Sequence, residues 1–336
     1  MDARGRDVAI VVAKMAYEVS QEGAVRRVLS SVRRAEQRDE AGGLAFPNEV
    51  EAHEKPGTDV GLIGMACPPR AANTRTAYAW LTVGSIRKVV LVYGPRVYVK
   101  GWRGVVPSDP APLVHPVPLR FDHAFGGTDP ITGAADPTNP VGRGFASDPD
   151  RLVGEPAHAL EPAPEGGTPP PPSHATFAPI PANWEPRRSL AGTHDHAWAR
   201  SRAPVRPRDF DPRHFNWSVR GLHSQAPLLG DEQVEIGGVR PEGVWRFRLP
   251  RYAVTIESIT DGLHASHPTH LDTFFVDAER RLVELVWRAA IPLPRKWERL
   301  SRIAVLGAGE LPEEVILGPR QTPHHPAASD DARGAA

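Results

Sequence analysis

Residues His270–Ala290 read HLDTFFVDAERRLVELVWRAA and predict a β-hairpin. Thr273–Val276 and Leu282–Trp287 are short runs of mainly apolar side chains, many of them β-branched or aromatic, and the polar stretch Asp277–Arg280 separates them. Two such runs with a short polar turn between them are typical of paired strands. This stretch therefore indicates a fold built on β-sheets.

Strand signals of the same kind recur at both ends of the chain, each followed by Gly, Pro or polar turn residues. They cover Asp7–Val19, Thr58–Cys67, Tyr78–Val83, Lys88–Tyr93, Arg96–Trp102, Gln233–Ile236, Val244–Leu249 and Tyr252–Ile259. We therefore predict a mainly β fold: an antiparallel sandwich or distorted barrel with long, ordered, Gly/Pro-rich loops and few short helices.

One segment near the start of the chain has a different periodicity. In Ala24–Arg38, the residues Val25, Val28, Leu29 and Val32 fall at helical spacing and arginines surround them. This pattern predicts an amphipathic helix. Such a helix either lies on the surface in contact with solvent or docks against a partner.

The middle of the chain, residues 107–217, is rich in Gly, Pro, Arg, Asp and His and has almost no long apolar run. A disordered segment would contain few aromatic side chains. This one contains Phe121, Phe125, Phe145, Trp184, Trp198, Phe210, Phe215 and Trp217. We expect mostly ordered loops that are anchored by these rings and that form a surface able to hold another molecule.

The domain organisation follows from these shifts in composition. We expect a single domain over residues 1–320, with β-rich parts at 1–106 and 218–320 around the loop-rich insert at 107–217. Glu161–Ala182 contains eight prolines and predicts an extended, mobile excursion. Residues 321–336 lack apolar content and predict a disordered tail.

Composition excludes several classes of protein. The 336 residues carry a formal net charge of zero, so no overall field attracts nucleic acid or an anionic membrane. The one cysteine, Cys67, excludes an intramolecular disulfide and a cysteine-based zinc site. No signal peptide and no apolar stretch of about 20 residues is present, so we expect a soluble cytoplasmic protein.

Several strings are too specific to arise from composition alone. Lys55–Val60 reads KPGTDV and Pro118–Asp129 reads PLRFDHAFGGTD. Asn139–Phe145 reads NPVGRGF, Asn183–Arg188 reads NWEPRR and Ala191–Trp198 reads AGTHDHAW. In this order, the chain resembles the bacterial domain-of-unknown-function family 2169 over nearly its whole length.

The resemblance implies a role in type VI secretion, because members of this family accompany type VI secretion gene clusters. It implies an effector adaptor or chaperone that binds a toxic effector at a PAAR-like or N-terminal region. Such a protein assists loading of the effector onto the secretion spike, at its valine-glycine repeat trimer. The family implies no cofactor and no catalytic residue.

The motifs supply candidate residues for tying loops together or for contacting a partner. Arg143 lies between two glycines, and its planar guanidinium suits several loop carbonyls or one carboxylate. Asp122, Asp195 and Asp209 are possible acceptors for such a group. Tryptophan can serve either as a core anchor or as an interface hot spot. The candidates are Arg143, Trp184, Arg187, Arg188, Asp195 and Trp198.

Two histidine clusters raise the alternative of an enzyme. They are His194-Asp195-His196, and His267 with His270 and Asp272. Neither has the spacing of a zinc protease motif, and the chain has no GxSxG and no phosphate-binding loop. We therefore predict no metal site and no catalytic residue. The alternatives to the adaptor remain a hydrolase-type enzyme or toxin domain, and a structural component of the spike.

Overall fold

Sheets of six, five and three strands form the framework of the chain. The structure is a computed structural model that describes residues 5–68, 73–163, 174–293 and 300–309. The strands are β1 (Val8–Val19), β2 (Val25–Val28), β3 (Gln37–Arg38), β4 (Leu44–Phe46), β5 (Thr58–Ile63), β6 (Met65–Ala66), β7 (Thr76–Val83), β8 (Ile86–Tyr93), β9 (Tyr98–Gly101), β10 (Gly104–Pro107), β11 (Val117–Pro118), β12 (Phe125–Gly126), β13 (Arg143–Gly144), β14 (Leu160–Pro162), β15 (His223–Ser224), β16 (Gln233–Gly237), β17 (Trp245–Arg248), β18 (Tyr252–Thr260), β19 (Leu263–Pro268), β20 (Leu271–Asp277), β21 (Leu282–Pro292) and β22 (Leu300–Gly309).

The six-stranded sheet has the order β15-β5-β20-β21-β1-β2. The predicted hairpin is confirmed, because β20 and β21 pair antiparallel with Val276 opposite Val283. All seven residues of β20 are buried, as expected for an apolar strand that is covered on both faces. The pairing within this sheet is not antiparallel throughout. β5 joins β20 in parallel, with Val60 opposite Phe274, so this sheet is mixed.

The five-stranded sheet has the order β14-β8-β7-β16-β17. β7 and β8 form a hairpin with Val83 opposite Ile86, as the turn residues Gly84 and Ser85 predict. Buried and more exposed residues alternate along both strands, which is the period of a sheet with one face in the core. The strands β18, β19 and β22 form the three-stranded sheet, with β18 in the middle, and the other strands form two-stranded pairs.

All three sheets contribute side chains to one hydrophobic core. A single cluster of buried residues contains Val60 and Leu285 of the six-stranded sheet, Leu81 and Val90 of the five-stranded sheet, and Ile256 of β18. The two larger sheets thus share a core as the layers of a sandwich do. Within the described residues each is open, with β15 and β2 as the outer strands of the larger sheet and β14 and β17 as those of the smaller one.

The helix predicted for Ala24–Arg38 is wrong. Val25–Val28 is instead the strand β2, which pairs antiparallel with the end of β1 and places Val25 opposite Val19. Arg26 forms an ion pair across this pairing with Glu18. The open edge of β1 offers backbone hydrogen bonds and a cross-strand partner, and these outweigh the weak helical preference of a valine-rich segment.

The middle of the chain consists of loops that are held by very short elements. The described part contains 3-10 helices at Phe121–His123, Pro149–Leu152, Arg188–Leu190 and Pro212–Phe215, and the α-helix α1 at His196–Ser201. Four of the predicted aromatic anchors are buried there, namely Phe121, Trp184, Phe215 and Trp217. Across the residues that the structure describes, no helix has the length and hydrophobicity needed to cross a bilayer.

Two predictions concern residues outside the described ranges. The central part of the proline-rich excursion, residues 164–173, is one of them, whereas the following residues 174–181 are described and buried, so the predicted mobile excursion is wrong there. The tail at residues 321–336 is the other.

Candidate functional site

Two of the motif loops meet and form one wall of a cavity of about 520 Å³. The short strands β12 and β13 bring them together, because Phe125 pairs in parallel with Arg143 and Gly126 with Gly144. Asn139, which is fully buried, holds the first loop from below. Its Nδ2 donates hydrogen bonds to the carbonyl oxygens of Phe121 and Phe125, both at 2.8 Å.

Glycine is required at the point where the second loop crosses the cavity wall. Gly144 has a φ of +109°, and a Cβ built on it would lie 1.9 Å from the Oη of Tyr98. Both the backbone conformation and the close approach exclude a larger residue. The glycine at this position of the motif is therefore required by a contact with β9, which lies some 45 residues earlier in the chain.

A chain of hydrogen bonds behind the wall fixes the position of Tyr98. Its hydroxyl lies 2.8 Å from Nδ1 of His158 and 3.3 Å from the carbonyl oxygen of Arg143. Nε2 of His158 in turn lies 3.1 Å from Oε1 of Glu161, to which Arg96 also donates at 2.5 Å. The hydrogen bond with His158 is the main cause that lowers the pKa of Glu161 to about 2, and Arg96 adds to it. The carboxylate is therefore charged at neutral pH and orients the imidazole.

A tight turn forms another part of the lining and is held by Asp129. The carboxylate of Asp129 accepts hydrogen bonds from the backbone N–H groups of Ile131 at 2.9 Å and Ser147 at 3.0 Å. These hydrogen bonds, that from Ile131 foremost, hold the pKa of Asp129 well below its usual range. Asp129 therefore holds its loop in place as an anion whose acceptor positions are already occupied.

The structure does not show the tie that the sequence predicts for Arg143. Arg143 is half-buried and lines the cavity, and its guanidinium makes no hydrogen bond or ion pair with the residues that the structure describes. The three predicted acceptors have other partners. Asp122 accepts from Arg120, Asp195 from the N–H of Trp198, and Asp209 from Thr193.

Trp184 and Arg187 lie in the interior, away from the cavity. Trp184 is 5 % exposed and packs edge-on against Phe121, with ring centroids 5.1 Å apart. Arg187 donates to the carbonyl oxygens of Ile180 at 2.6 Å and His214 at 2.8 Å. Both residues join loops of the middle segment to the core.

The other candidates lie at the surface, on a different loop. Arg188 is exposed and forms an ion pair with Glu185 at 3.0 Å. Asp195 caps α1 by accepting the backbone N–H of Trp198 at 2.8 Å, and the indole of Trp198 donates to Val205 at 2.8 Å. Of the six candidates, therefore, only Arg143 lines the cavity.

The residues that support the wall are not among the six candidates predicted from the sequence. Tyr98 belongs to a string, VYGPRVY, that is as distinctive as the other motifs, and Asn139 opens NPVGRGF. These positions could have been singled out for that reason. His158 and Glu161 carried no signal, because their partner Tyr98 lies about 60 residues away.

A second feature beside the cavity is an exposed apolar hairpin. β9 begins at Tyr98 in the cavity wall, and β9 and β10 form a hairpin with Trp102 in its turn. Trp102 is 87 % exposed, and Val99 and Val106 on the hairpin are also exposed. An ion pair of 2.8 Å between Lys100 and Asp150 joins the hairpin to the segment that carries the cavity residue Leu152.

The histidines considered as metal ligands lie in two separate places in the described structure. His267 and His270 line a separate cavity of about 600 Å³, whereas Asp272 is fully buried in an ion pair with Arg288. His194 lies on the surface against the ring of Trp198. Within the ranges that the structure describes, no group of three His, Cys, Asp or Glu side chains is arranged to hold a metal ion.

The KPGTDV motif lies elsewhere, in a buried ionic network that joins distant parts of the chain. The Nζ of Lys55 lies 2.7 Å from Oδ2 of Asp59 and donates to Thr273 at 2.8 Å. Asp59 also accepts the backbone N–H of Trp217 at 2.8 Å and the hydroxyl of Ser218 at 2.6 Å. Burial lowers the pKa of Lys55. Burial alone would raise the pKa of Asp59, but Lys55 and these hydrogen bonds lower it overall.

Comparison with known proteins identifies the family. No curated protein and no solved structure matches the chain significantly. A sequence model of domain-of-unknown-function family 2169, described as an uncharacterized protein conserved in bacteria, matches residues 4–288. This range contains β1 to β20, part of β21 and both motif loops of the cavity, and it ends before β22. The chain therefore belongs to the DUF2169 family.

Proposed function

We propose that this protein is a non-catalytic binding protein, an adaptor or chaperone that holds a toxic effector of type VI secretion. It assists loading of that effector onto the secretion spike. The observation that supports this function best is the cavity built from AFGGTD and NPVGRGF beside a hairpin that exposes Trp102. Two of the motifs that carry the family resemblance thus line this cavity.

The exposed apolar side chains favour a protein partner. Trp102 has a large ring that is held in the turn by Arg103, whose guanidinium lies 4.0 Å from the ring centroid. Exposed tryptophans are among the residues that contribute most to interfaces when a partner covers them. Ile131 and Val153, which are 69 % and 45 % exposed, extend the apolar surface near the cavity.

The mechanism of such an adaptor is mass action. A protein that binds one folded conformation of the effector stabilises that conformation over unfolded and aggregated states. We place this step in the bacterial cytoplasm, before secretion, and the effector's PAAR-like or N-terminal region is the segment that is bound. Contact with the valine-glycine repeat spike then brings the effector to its site of loading.

Co-expression tests this function. The chain is expressed with the products of the genes that neighbour its own gene, and each pair is purified through a tag on the chain. We expect one toxin to co-purify and the isolated proteins to associate at micromolar concentrations or below. If none of the neighbouring products associates in that range, the adaptor function is refuted.

Two further measurements separate the adaptor from the enzyme and from the structural spike component. Toxicity on expression of the chain alone would favour the enzyme, and stoichiometric recovery with spike proteins in secreted material would favour the structural component. An adaptor remains mostly in the cell.

A further inference from the structure

Arg143 differs from several arginines that lie partly or fully inside the protein. Arg33, Arg96 and Arg288 each form an ion pair with a carboxylate, and Arg187 donates to two carbonyl oxygens. Arg143 is half-buried and lines the cavity without such a partner in the described part of the chain. A cation that has lost part of its hydration gains from an anion that reaches it.

The other charges at the cavity do not neutralise Arg143. Asp129 is saturated by its own loop, and Arg151 lies 3.4 Å from Asp148 in an ion pair. Glu155 is exposed to solvent at the rim. Burial, foremost, and the charge of Arg143 lower the pKa of His123, and this neighbour carries no negative charge in either protonation state.

The backbone around Arg143 is fixed before any ligand binds. Its N–H donates to Ala124 at 3.0 Å, and its carbonyl oxygen lies 3.3 Å from the hydroxyl of Tyr98. The hydroxyl of Tyr98 occupies the space that a side chain at position 144 would need. The backbone at Arg143 therefore loses little entropy when a ligand binds, and the entropy cost falls mainly on the Arg143 side chain.

We propose that this cavity binds a peptide segment through a carboxylate that pairs with Arg143, with apolar residues on either side of that acidic residue. The apolar residues pack on Ile131 and on the hairpin of Trp102. The ligand is thus an acidic residue in an apolar segment of a partner protein. This inference rests on the proposed binding function and names the chemistry that the partner presents.

Two short synthetic peptides test the inference without knowledge of the partner. The first is acetyl-Ala-Leu-Glu-Leu-Trp-amide and the second has Gln in place of Glu. Their binding is measured by fluorescence anisotropy of labelled peptides at low salt. We expect the Glu peptide to bind at least about tenfold more tightly than the Gln peptide. We expect Arg143→Gln to abolish that difference.

The variant Arg213→Gln is the matched control. Arg213 is exposed and pairs with Asp211 outside the cavity, so its loss should leave the preference for the Glu peptide unchanged. Melting curves of both variants exclude unfolding as the cause of lost binding. Equal affinities for the two peptides, absence of binding by both up to millimolar concentration, or an unchanged preference in Arg143→Gln would each overturn the inference.

The outcome is independent of the co-expression experiment. An effector that co-purifies equally well with wild type and with Arg143→Gln would leave the adaptor function standing and remove the carboxylate contact. Failure of every effector to associate, together with a Glu preference that depends on Arg143, would retain the site and refute the adaptor function.

Discussion

At the scale of single residues, polar groups rather than the motif arginine hold the loops together. Asn139 and Asp129 are both nearly fully buried, and each binds two or more backbone groups. A loop cannot satisfy its backbone through a ladder, so it needs such side chains. Compact side chains such as Asn and Asp reach backbone groups nearby, whereas Arg143 remains available at the cavity.

His174 predicts a dependence of stability on pH. It is 7 % exposed, and neither ring nitrogen has a hydrogen-bond partner within the described part of the chain. Burial lowers its pKa from 6.5 to about 4. The unfolded chain therefore takes up a proton at a higher pH than the folded protein does, so acidification from pH 6.5 to 4 favours unfolding.

We expect His174 to account for a loss of about 3 kcal/mol in the free energy of unfolding across that range, since each pKa unit corresponds to about 1.4 kcal/mol. Urea denaturation of wild type and His174→Leu at several pH values measures it. The variant should lose less stability between pH 6.5 and 4. Parallel curves for the two proteins would show that the imidazole is already solvated in the folded state.

At the scale of elements, a substitution in the hairpin of β9 and β10 should weaken binding of the effector without changing the stability of the fold. Trp102 is 87 % exposed, so Trp102→Ala should change the free energy of unfolding by no more than about 0.5 kcal/mol. Binding of the effector should weaken by about 2 kcal/mol, or roughly thirtyfold, if this ring is a hot spot. Denaturation curves and titration calorimetry measure the two quantities.

Leu229→Ala is the control for that prediction. Leu229 is 78 % exposed and is not part of the hairpin or of the cavity lining. Its truncation should leave both stability and binding unchanged. Loss of binding in both variants to the same extent would mean that the hairpin has no special role.

The sequence predicts elements well where apolar, β-branched or aromatic runs are bounded by turn residues, as in β7, β8, β20 and β21. It fails for Ala24–Arg38, because helical spacing of the valines coincides with an edge of β1 that only the folded sheet provides. The parallel pairing of β5 with β20 joins residues more than 200 positions apart, and no local pattern reports it. For the cavity, the sequence indicated the two motifs that line it. It did not indicate that His158 and Glu161 hold Tyr98 in the wall.

At the scale of the whole molecule, the Lys55–Asp59 pair connects the early strand β5, the end of the middle loops and the hairpin of β20 and β21. Both side chains are almost completely buried. Removal of one partner from a buried ion pair leaves an uncompensated charge in the interior.

Asp59→Ala should therefore lower the free energy of unfolding by about 3–5 kcal/mol. Chemical denaturation followed by tryptophan fluorescence measures the loss, because the Nζ of Lys55 lies 4.7 Å from the ring centroid of Trp217. Asp209→Ala is the control, because Asp209 is exposed and binds only Thr193, so its loss should lower the free energy of unfolding much less. Similar losses in the two variants would contradict a central role for the network.

The pairing of β1 with β21 has a consequence for how the protein is made. β1 begins at Val8, and its partner on one side extends to Pro292. During synthesis, the ribosome must release almost the entire chain before this edge of the first strand finds its neighbour. Until β21 has been synthesised, a nascent chain therefore carries an unpaired edge of β1, and such unpaired strand edges are prone to aggregation.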